Sequence, residues 1–153
     1  MKGHKNIIDM LITNEAEVDA EDFFKQTPLH YAVENGHKDI VKRLIEERIT
    51  NVDFGDRNNQ TPLHFAAIKG YKDIIDMLIT KGAKVDVQDF LNQTPLHYAA
   101  IKGHKDIVKK LITNGAKVNV KDYFNKTPLH YAVEKGHNDI INMLIMGGAK
   151  VDV

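Results

Sequence analysis

The tetrapeptide Thr-Pro-Leu-His occurs four times in the chain, and its spacing constrains the fold more than any other feature. The copies begin 34, 33 and 33 residues apart, at Thr27, Thr61, Thr94 and Thr127. Nine residues after each Thr comes a glycine, at Gly36, Gly70, Gly103 and Gly136. Self-similarity at this period is typical of stacked repeat architectures. We therefore predict an array of repeated units that share one core.

Each unit is predicted to contain two helices. Thr27 can cap unpaired main-chain N–H groups and Pro28 suits a first helical turn, so a helix should begin there. Gly36 should end that helix, because glycine adopts the left-handed conformation without steric cost. Asp39 then favours the start of a second helix, whose buried stripe is Ile40, Val41, Leu44 and Ile45. Isolated helices shorter than about 12 to 15 residues are marginal in water, so stacking must stabilise them.

The segment between helix pairs is predicted to be an extended arm and a turn. Gly82 and Ala83 end a second helix, and residues 84–87 lead to a turn at residues 89–92. The whole pattern, Asp-x-x-Asn-x-Thr-Pro-Leu-His-Tyr-Ala with Gly-His nine residues after the Thr and Gly-Ala-Lys-Val-Asp after the second helix, closely resembles the ankyrin repeat. The resemblance covers essentially the whole chain. It implies an all-α repeat solenoid of stacked helix pairs with β-hairpin or loop fingers, and a concave groove that binds proteins.

The period divides the chain into five predicted units of one solenoid domain. Residues 1–21 supply only a second helix and a hairpin arm, and four units follow at 22–55, 56–88, 89–121 and 122–153. Solenoid ends generally need a polar cap, which neither end shows. We therefore expect a segment of a longer array, with self-association through uncapped ends as a second expectation.

Composition argues against several classes of function. The 21 basic and 21 acidic residues cancel, so no overall field favours nucleic acid or an anionic membrane. No apolar run approaches the ~18 to 20 residues that span a bilayer, so membrane insertion is not expected. The lack of cysteine and of a signal peptide favours a cytoplasmic, intracellular location. The excess of lysine over arginine is typical of AT-rich genomes, such as those of intracellular microbes, for which the host cytosol is an alternative location.

No pattern for catalysis, a cofactor or a metal is evident, so the chain is not expected to be an enzyme. It contains no serine and no cysteine, and it has neither a P-loop nor a dinucleotide fingerprint. The eight histidines recur at fixed repeat positions rather than in paired ligand spacings. In ankyrin repeats the histidine of the tetrapeptide hydrogen-bonds the backbone of a neighbouring loop, which implies a structural role for His30, His64, His97 and His130.

The aromatic residues fall in two columns, of which the first indicates recognition. Phe23, Phe24, Phe90, Tyr123 and Phe124 lie three or four residues before a repeat Thr, at the predicted finger tips. Large apolar side chains gain nothing from exposed turns, so we expect partner contact there, with packing between fingers as the alternative. Arg57 and Asn58 take this place in the second full unit and interrupt the apolar row. The second column, for which core packing is expected, is Tyr31, Phe65, Tyr98 and Tyr131.

Residues near the end of each first helix vary where the buried positions repeat, so we expect them to face the groove. Ile68 and Ile101 would form an apolar centre, with Glu34 and Glu134 toward the two ends. The complete predicted contact set is Phe23, Phe24, Gln26, Glu34, Asn35, Arg57, Asn58, Gln60, Ile68, Lys69, Phe90, Leu91, Gln93, Ile101, Lys102, Tyr123, Phe124, Lys126, Glu134 and Lys135. The predicted function is a non-catalytic scaffold that binds another protein or a peptide. The alternative is an architectural spacer or oligomerisation segment of a longer ankyrin array.

Overall fold

The computed structural model describes residues 18–47 and 51–151, and these residues form eight α-helices and no strand. The first helices of the four pairs are α1 (Pro28–Glu34), α3 (Pro62–Lys69), α5 (Pro95–Lys102) and α7 (Pro128–Lys135). The second helices are α2 (Lys38–Glu47), α4 (Lys72–Thr80), α6 (Lys105–Thr113) and α8 (Asn138–Met146). The predicted all-α repeat of helix pairs is confirmed. The partial unit predicted for residues 1–21 lies mostly outside the described residues.

The helices begin and end where the repeated motif predicts. Thr61 has an extended backbone at the N-cap of α3, Pro62 opens the helix, and Gly70 closes it in the left-handed conformation at φ 78°. The main-chain N–H of Gly70 donates to the carbonyl of Ala66, which satisfies one of the helix's terminal acceptors. The tetrapeptide therefore sets the start of each first helix, and the glycine nine residues later ends it or follows its C-cap.

The helix pairs stack into two layers. First helices pack on neighbouring first helices, and second helices pack on neighbouring second helices. Small residues such as Ala66 and Ala99 are completely buried between first helices, which lets the backbones approach closely. Leu63, Ile75 and Leu78 are likewise excluded from solvent and belong to one core that runs through all four pairs. Burial of this apolar surface across the junctions, at about 25 cal/mol per Å², is the main source of stability for helices this short.

The predicted fingers are tight turns. We call residues 22–26, 56–60, 89–93 and 122–126 fingers 1 to 4. In finger 3 the N–H of Asp89 donates to the carbonyl of Gln93 at 3.0 Å, and the N–H of Asn92 donates to the carbonyl of Asp89 at 2.9 Å. The same two bonds recur in the other three fingers. Of the two forms that the resemblance implied, the described residues adopt the loop form, since they contain no strand.

Candidate protein-binding surface

An aspartate at the start of each finger fixes the shape of the turn. In finger 3, Asp89 Oδ1 accepts hydrogen bonds from the main-chain N–H groups of Leu91 and Gln93, both at 2.9 Å. The residue before Gln93, Asn92, has φ 56°, a left-handed conformation that asparagine tolerates better than most residues. Fingers 2 and 4 use asparagine in the same place, whereas finger 1 uses Lys25 at φ 58°. The fingers are therefore held by their own hydrogen bonds.

Neighbouring fingers are joined by single main-chain hydrogen bonds. The N–H of Arg57 donates to the carbonyl of Phe24 at 2.9 Å, and that of Phe90 donates to the carbonyl of Asn58 at 2.9 Å. The N–H of Tyr123 donates to the carbonyl of Leu91 at 2.8 Å. The two residues after each aspartate thus form one connected line across the four fingers. We call this line the finger row: Phe23, Phe24, Arg57, Asn58, Phe90, Leu91, Tyr123 and Phe124.

The side chains of the finger row are exposed although most of them are apolar. Phe23, Phe90 and Tyr123 expose 73%, 71% and 72% of their surface, and Phe24, Leu91 and Phe124 are also exposed. Phe23 and Phe24 contact each other edge to face, with ring centroids 5.4 Å apart, as do Tyr123 and Phe124 at 5.6 Å. Packing within a finger therefore leaves much aromatic surface in water. Large exposed apolar patches are typical of interaction sites.

Arg57 lies against the first finger instead of extending into solvent. Its guanidinium carbon is 3.8 Å from the centroid of the Phe23 ring and 6.0 Å from that of Phe24. This is the geometry of a cation–π contact. The cation that interrupts the apolar row is therefore held beside two of its rings.

A second set of predicted contact residues lies where the first helices end. We call it the helix-end row: Glu34, Asn35, Ile68, Lys69, Ile101, Lys102, Glu134 and Lys135. Ile68 and Ile101 are half-buried, and their carbonyl oxygens lie 3.0 and 3.3 Å from Nε2 of His104 and His137. The adjacent Lys69 and Lys102 are exposed, and neither pairs with a carboxylate among the described residues.

The charged residues of the fourth pair contact one another. Lys126 Nζ is 2.7 Å from Glu134 Oε2, and this hydrogen bond lowers the pKa of Glu134. Lys126 also lies over the Tyr131 ring, 5.1 Å from its centroid. Both partners remain substantially exposed, so the pair contributes little to stability. The predicted contact residues Lys126 and Glu134 are thus placed side by side.

Two predicted contact residues, Gln60 and Gln93, lie inside the junctions between helix pairs. Gln93 is 6% exposed, and its Nε2 donates to Asp122 Oδ2 at 2.9 Å and to the hydroxyl of Tyr131 at 3.0 Å. Gln60 bonds in the same way to Asp89, at 3.3 Å, and to the hydroxyl of Tyr98, at 2.8 Å. These amides support the next finger. Gln26, in the corresponding place, is half-buried and has no side-chain partner among the described residues.

The tyrosines of the second aromatic column bond to the finger of their own unit, which the sequence did not predict. The expected core packing is wrong for Tyr31, which is 45% exposed, whereas Phe65 is buried. The hydroxyls of Tyr31, Tyr98 and Tyr131 donate to Oδ2 of the finger aspartate nine residues earlier, at 2.7, 2.6 and 2.5 Å. Burial and this hydrogen bond raise the pKa of Tyr131 to about 12. The signal in the sequence is the repeated Asp-x8-Tyr spacing, which Phe65 breaks in the second unit.

The histidines of the tetrapeptide connect each helix pair to the next finger. His97 Nδ1 accepts the main-chain N–H of Thr94 at 3.1 Å, so its ring proton lies on Nε2, which donates to the carbonyl of Lys126 at 3.2 Å. His30 and His64 make the same contacts with fingers 2 and 3, at 3.1 Å to the carbonyls. Burial lowers the pKa of all three rings. The implied structural role is confirmed for these three residues.

Two findings concern other kinds of site. Among residues 18–47 and 51–151, no three His, Asp or Glu side chains come together as metal ligands would. No helix in that part of the chain has the length and apolar character that crossing a membrane requires.

Comparison with known proteins agrees with the repeat. The family model described as ankyrin repeats (3 copies) matches residues 1–89 and again residues 87–153. The two matches together cover the whole chain. No curated protein matches it.

Proposed function

Because the chain belongs to the ankyrin-repeat family, whose repeats are generally protein–protein interaction modules, we propose that it is a non-catalytic scaffold for a protein partner. The partner contacts the finger row and extends over the helix-end row. The observation that carries this proposal is the exposure of six large apolar side chains on turns that are closed by their own hydrogen bonds. Ankyrin repeats are commonly intracellular, and a cytoplasmic partner is part of the proposal.

The energetics favour the finger row as the centre of the contact. Transferring an apolar side chain of this size from water into an interface contributes about 1.5–3 kcal/mol. Aromatic residues and arginine are also the residue types that most often dominate interfaces. The turns are fixed before binding, so little conformational entropy is lost when a partner docks. The helix-end row, which is more polar and includes Lys69 and Lys102, suits the rim of such an interface.

The test replaces two exposed residues of finger 3 and leaves its turn intact. We expect Phe90→Ser combined with Leu91→Ser to abolish capture of partner proteins from lysate, with little change in the urea unfolding midpoint. The matched control is Lys42→Ser combined with Lys109→Ser, because both lysines are exposed on second helices, away from the fingers. Unchanged capture by the finger variant, or loss of its folding, would refute the assignment of the finger row.

An architectural role is the second candidate, because one end of the stack exposes apolar surface. Val133, Met146 and Val151, all in or after the last helix pair, expose 59%, 87% and 71% of their surface. His130, unlike the other three tetrapeptide histidines, has no carbonyl within reach of Nε2 among the described residues. A further helix pair stacked on this end would bury the three side chains and supply a carbonyl to His130 Nε2.

Light scattering over a concentration series tests this second role. If it holds, the apparent mass rises with concentration, and Val133→Glu combined with Met146→Glu restores the monomer. A mass that stays monomeric at all concentrations argues against self-association at this end. The finger variant serves as the control here, since it leaves the end of the stack unchanged.

A further inference from the structure

Arg57 indicates which chemical groups the partner presents to the finger row. This inference rests on the proposed function. Arg57 is the one cation in the finger row, between the apolar pair of finger 1 and the apolar pair of finger 3. Its main-chain N–H is bonded to finger 1, and the carbonyl of the next residue, Asn58, is bonded to finger 3. The backbone of Arg57 is therefore fixed within the row from both sides.

The side chain of Arg57 is also oriented. Its guanidinium carbon lies 3.8 Å from the centroid of the Phe23 ring, and the Phe24 ring packs edge to face against Phe23. Contact with a ring restricts the movement of the planar group, whose edge carries five N–H donors. An arginine held in this way loses less conformational entropy when it binds an anion than one that moves in solvent.

The hydrogen-bond donors of this guanidinium are available to a ligand. Among residues 18–47 and 51–151, no oxygen accepts a hydrogen bond from it. The carboxylate of finger 1, Asp22, already accepts bonds from the N–H groups of Phe24 and Gln26, both at 2.8 Å, and from the Tyr31 hydroxyl at 2.7 Å. The Tyr31 bond is the main cause of the lowered pKa of Asp22, and the charge of Arg57 has only a minor effect.

A carboxylate is the anion that fits this arrangement. It accepts two parallel hydrogen bonds from the fork of a guanidinium, and such charge-assisted pairs are stronger than neutral hydrogen bonds. The flanking side chains require that the rest of the ligand be apolar near the carboxylate. A partner that satisfies both conditions presents an acidic side chain between large apolar side chains.

The spacing of these side chains follows from the stacking. Packed helices lie about 8–10 Å apart, so consecutive fingers are separated by about that distance. An extended chain rises about 3.3 Å per residue and its side chains alternate between two faces, so residues two or four positions apart face the same surface, about 7 or 13 Å apart. We infer that the finger row binds an extended segment of the partner in which Asp or Glu contacts Arg57 and a large apolar residue lies two or four positions away on each side, against fingers 1 and 3.

The experiment selects ligands without assuming the partner. A random peptide library is displayed and selected on the full-length chain, and a selected peptide is then synthesised with its acidic residue and with the matching amide. We expect enrichment of sequences with Asp or Glu flanked by large apolar residues two or four positions away. Arg57→Gln should weaken the acidic peptide about tenfold to a hundredfold and leave the amide peptide unchanged, as measured by fluorescence anisotropy. Raising the salt concentration should weaken only the acidic peptide.

Two further variants separate recognition from general charge. Arg57→Lys keeps the charge but loses the planar fork, so its affinity should lie between those of the wild type and Arg57→Gln. Lys109→Gln removes an equal charge from α6, far from the fingers in the repeat, and should have no effect. Urea unfolding of each variant shows whether the fold is retained.

The results also distinguish this inference from the proposed function. Selected peptides that lack an acidic residue, or that bind Arg57→Gln as well as the wild type, overturn the inference. If Phe90→Ser with Leu91→Ser still abolishes their binding, the finger row remains the binding surface. If that variant also has no effect, or if no peptide is enriched at all, the result counts against both proposals.

Discussion

The junction between the first and second helix pairs is built differently from the two junctions that follow it. All three share the histidine bridge to the next finger, and each has one main-chain bond between fingers. The second and third junctions add a glutamine that bonds to both the aspartate and the tyrosine of the next unit. The first junction has no such network, because Phe65 lacks the hydroxyl and Gln26 has no side-chain partner among the described residues.

This difference separates what the stack requires from what reinforces it. Phe65 still packs edge to face on His30, with centroids 5.8 Å apart, as Tyr98 packs on His64 at 6.0 Å. Ring packing and the histidine bridge are therefore sufficient to close a junction. The glutamine network adds hydrogen bonds that join fingers 3 and 4 to the glutamine of the preceding finger, and finger 2 lacks these bonds among the described residues.

The largest expected effect comes from the glycines over which a ring of the next pair packs. A Cβ at Gly103, which has φ 76°, would lie 2.8 Å from the His137 ring, and that ring is held by its contact with the carbonyl of Ile101. We expect Gly103→Ala to lower the free energy of unfolding by about 2–5 kcal/mol, from backbone strain and from displacement of the ring. Denaturant unfolding measures the loss.

Two matched variants divide this effect into its parts. Gly136 has φ 71° with nothing within 4 Å of its Cβ position, so Gly136→Ala should show only the backbone strain. Gly36→Ala, in the first junction, meets the Tyr71 ring at 2.9 Å, and its loss of stability should lie between the other two, because no hydrogen bond from the rest of residues 18–47 and 51–151 fixes that ring. Equal losses at all three glycines would show that ring packing is irrelevant.

The shared histidine bridge predicts a dependence of stability on pH. Burial lowers the pKa of His30, His64 and His97 below the ordinary value of 6.5, so the native state binds fewer protons than the unfolded state just below that pH. Stability is therefore complete above pH 6.5 and falls as the pH decreases toward the native pKa values. Each histidine contributes at most about 1.4 kcal/mol per pH unit, and we expect a total loss of about 1–3 kcal/mol by pH ~5.5.

Urea titrations across this pH range measure how steeply the free energy of unfolding changes with pH. His97→Gln should reduce this dependence by the contribution of one of the three histidines. The carboxylate of Asp22, whose lowered pKa is due chiefly to the Tyr31 hydrogen bond, loses its contribution only in a more acidic range, below its usual 3.8. A stability that does not change between pH ~7 and ~5.5 would contradict the buried, neutral state of the three rings.

A smaller effect is expected from breaking the glutamine network. Gln93→Leu keeps the volume of the side chain but leaves Asp122 and Tyr131 without the amide, so we expect a loss of about 1–2 kcal/mol in denaturant unfolding. Gln26→Leu is the control in the first junction and should change stability by less than about 0.5 kcal/mol. If Gln93→Leu and Gln26→Leu lower the free energy of unfolding equally, the glutamine network does not stabilise the third junction more than the first.

The smallest effect, and the only expected gain, comes from completing the first junction. Phe65→Tyr would place a hydroxyl near Oδ2 of Asp56, as Tyr98 does for Asp89, and within reach of the Gln26 amide. We expect the free energy of unfolding to increase by about 0.5–1.5 kcal/mol, as measured by denaturant unfolding. The reverse changes, Tyr98→Phe and Tyr131→Phe, should each lower the free energy of unfolding by a similar amount. Adding Gln26→Leu to Phe65→Tyr should remove part of the gain in stability.

Much of the fold follows from the sequence because its signals are local. The start of α3 at Pro62 follows from Thr61 and the proline ring, and the left-handed Gly70 ends it, within one stretch of ten residues. The buried stripe of each second helix follows from spacing along one helix. The place of Phe90 and Tyr123 in the turns also follows from the sequence, but their exposure does not, because the sequence left packing between fingers open.

The roles of particular polar residues depend instead on contacts between units. Gln60 and Arg57 are both polar residues of finger 2, three positions apart, and the sequence predicts partner contact for both. Gln60 turns inward, because the aspartate and tyrosine of the next unit, 29 and 38 residues away, meet at its amide. Arg57 turns back, because the rings of the previous finger lie beside it.

The sequence by itself thus determined the repeat, the limits of the first helices and the apolar core, since each depends on residues within a single turn or helix. Only the tertiary structure decided which finger residues support the stack and which remain for a partner. Stacking brings together side chains that are about 30 residues apart, and hydrogen-bond geometry within that contact assigns Gln93 to the interior and leaves the donors of Arg57 exposed.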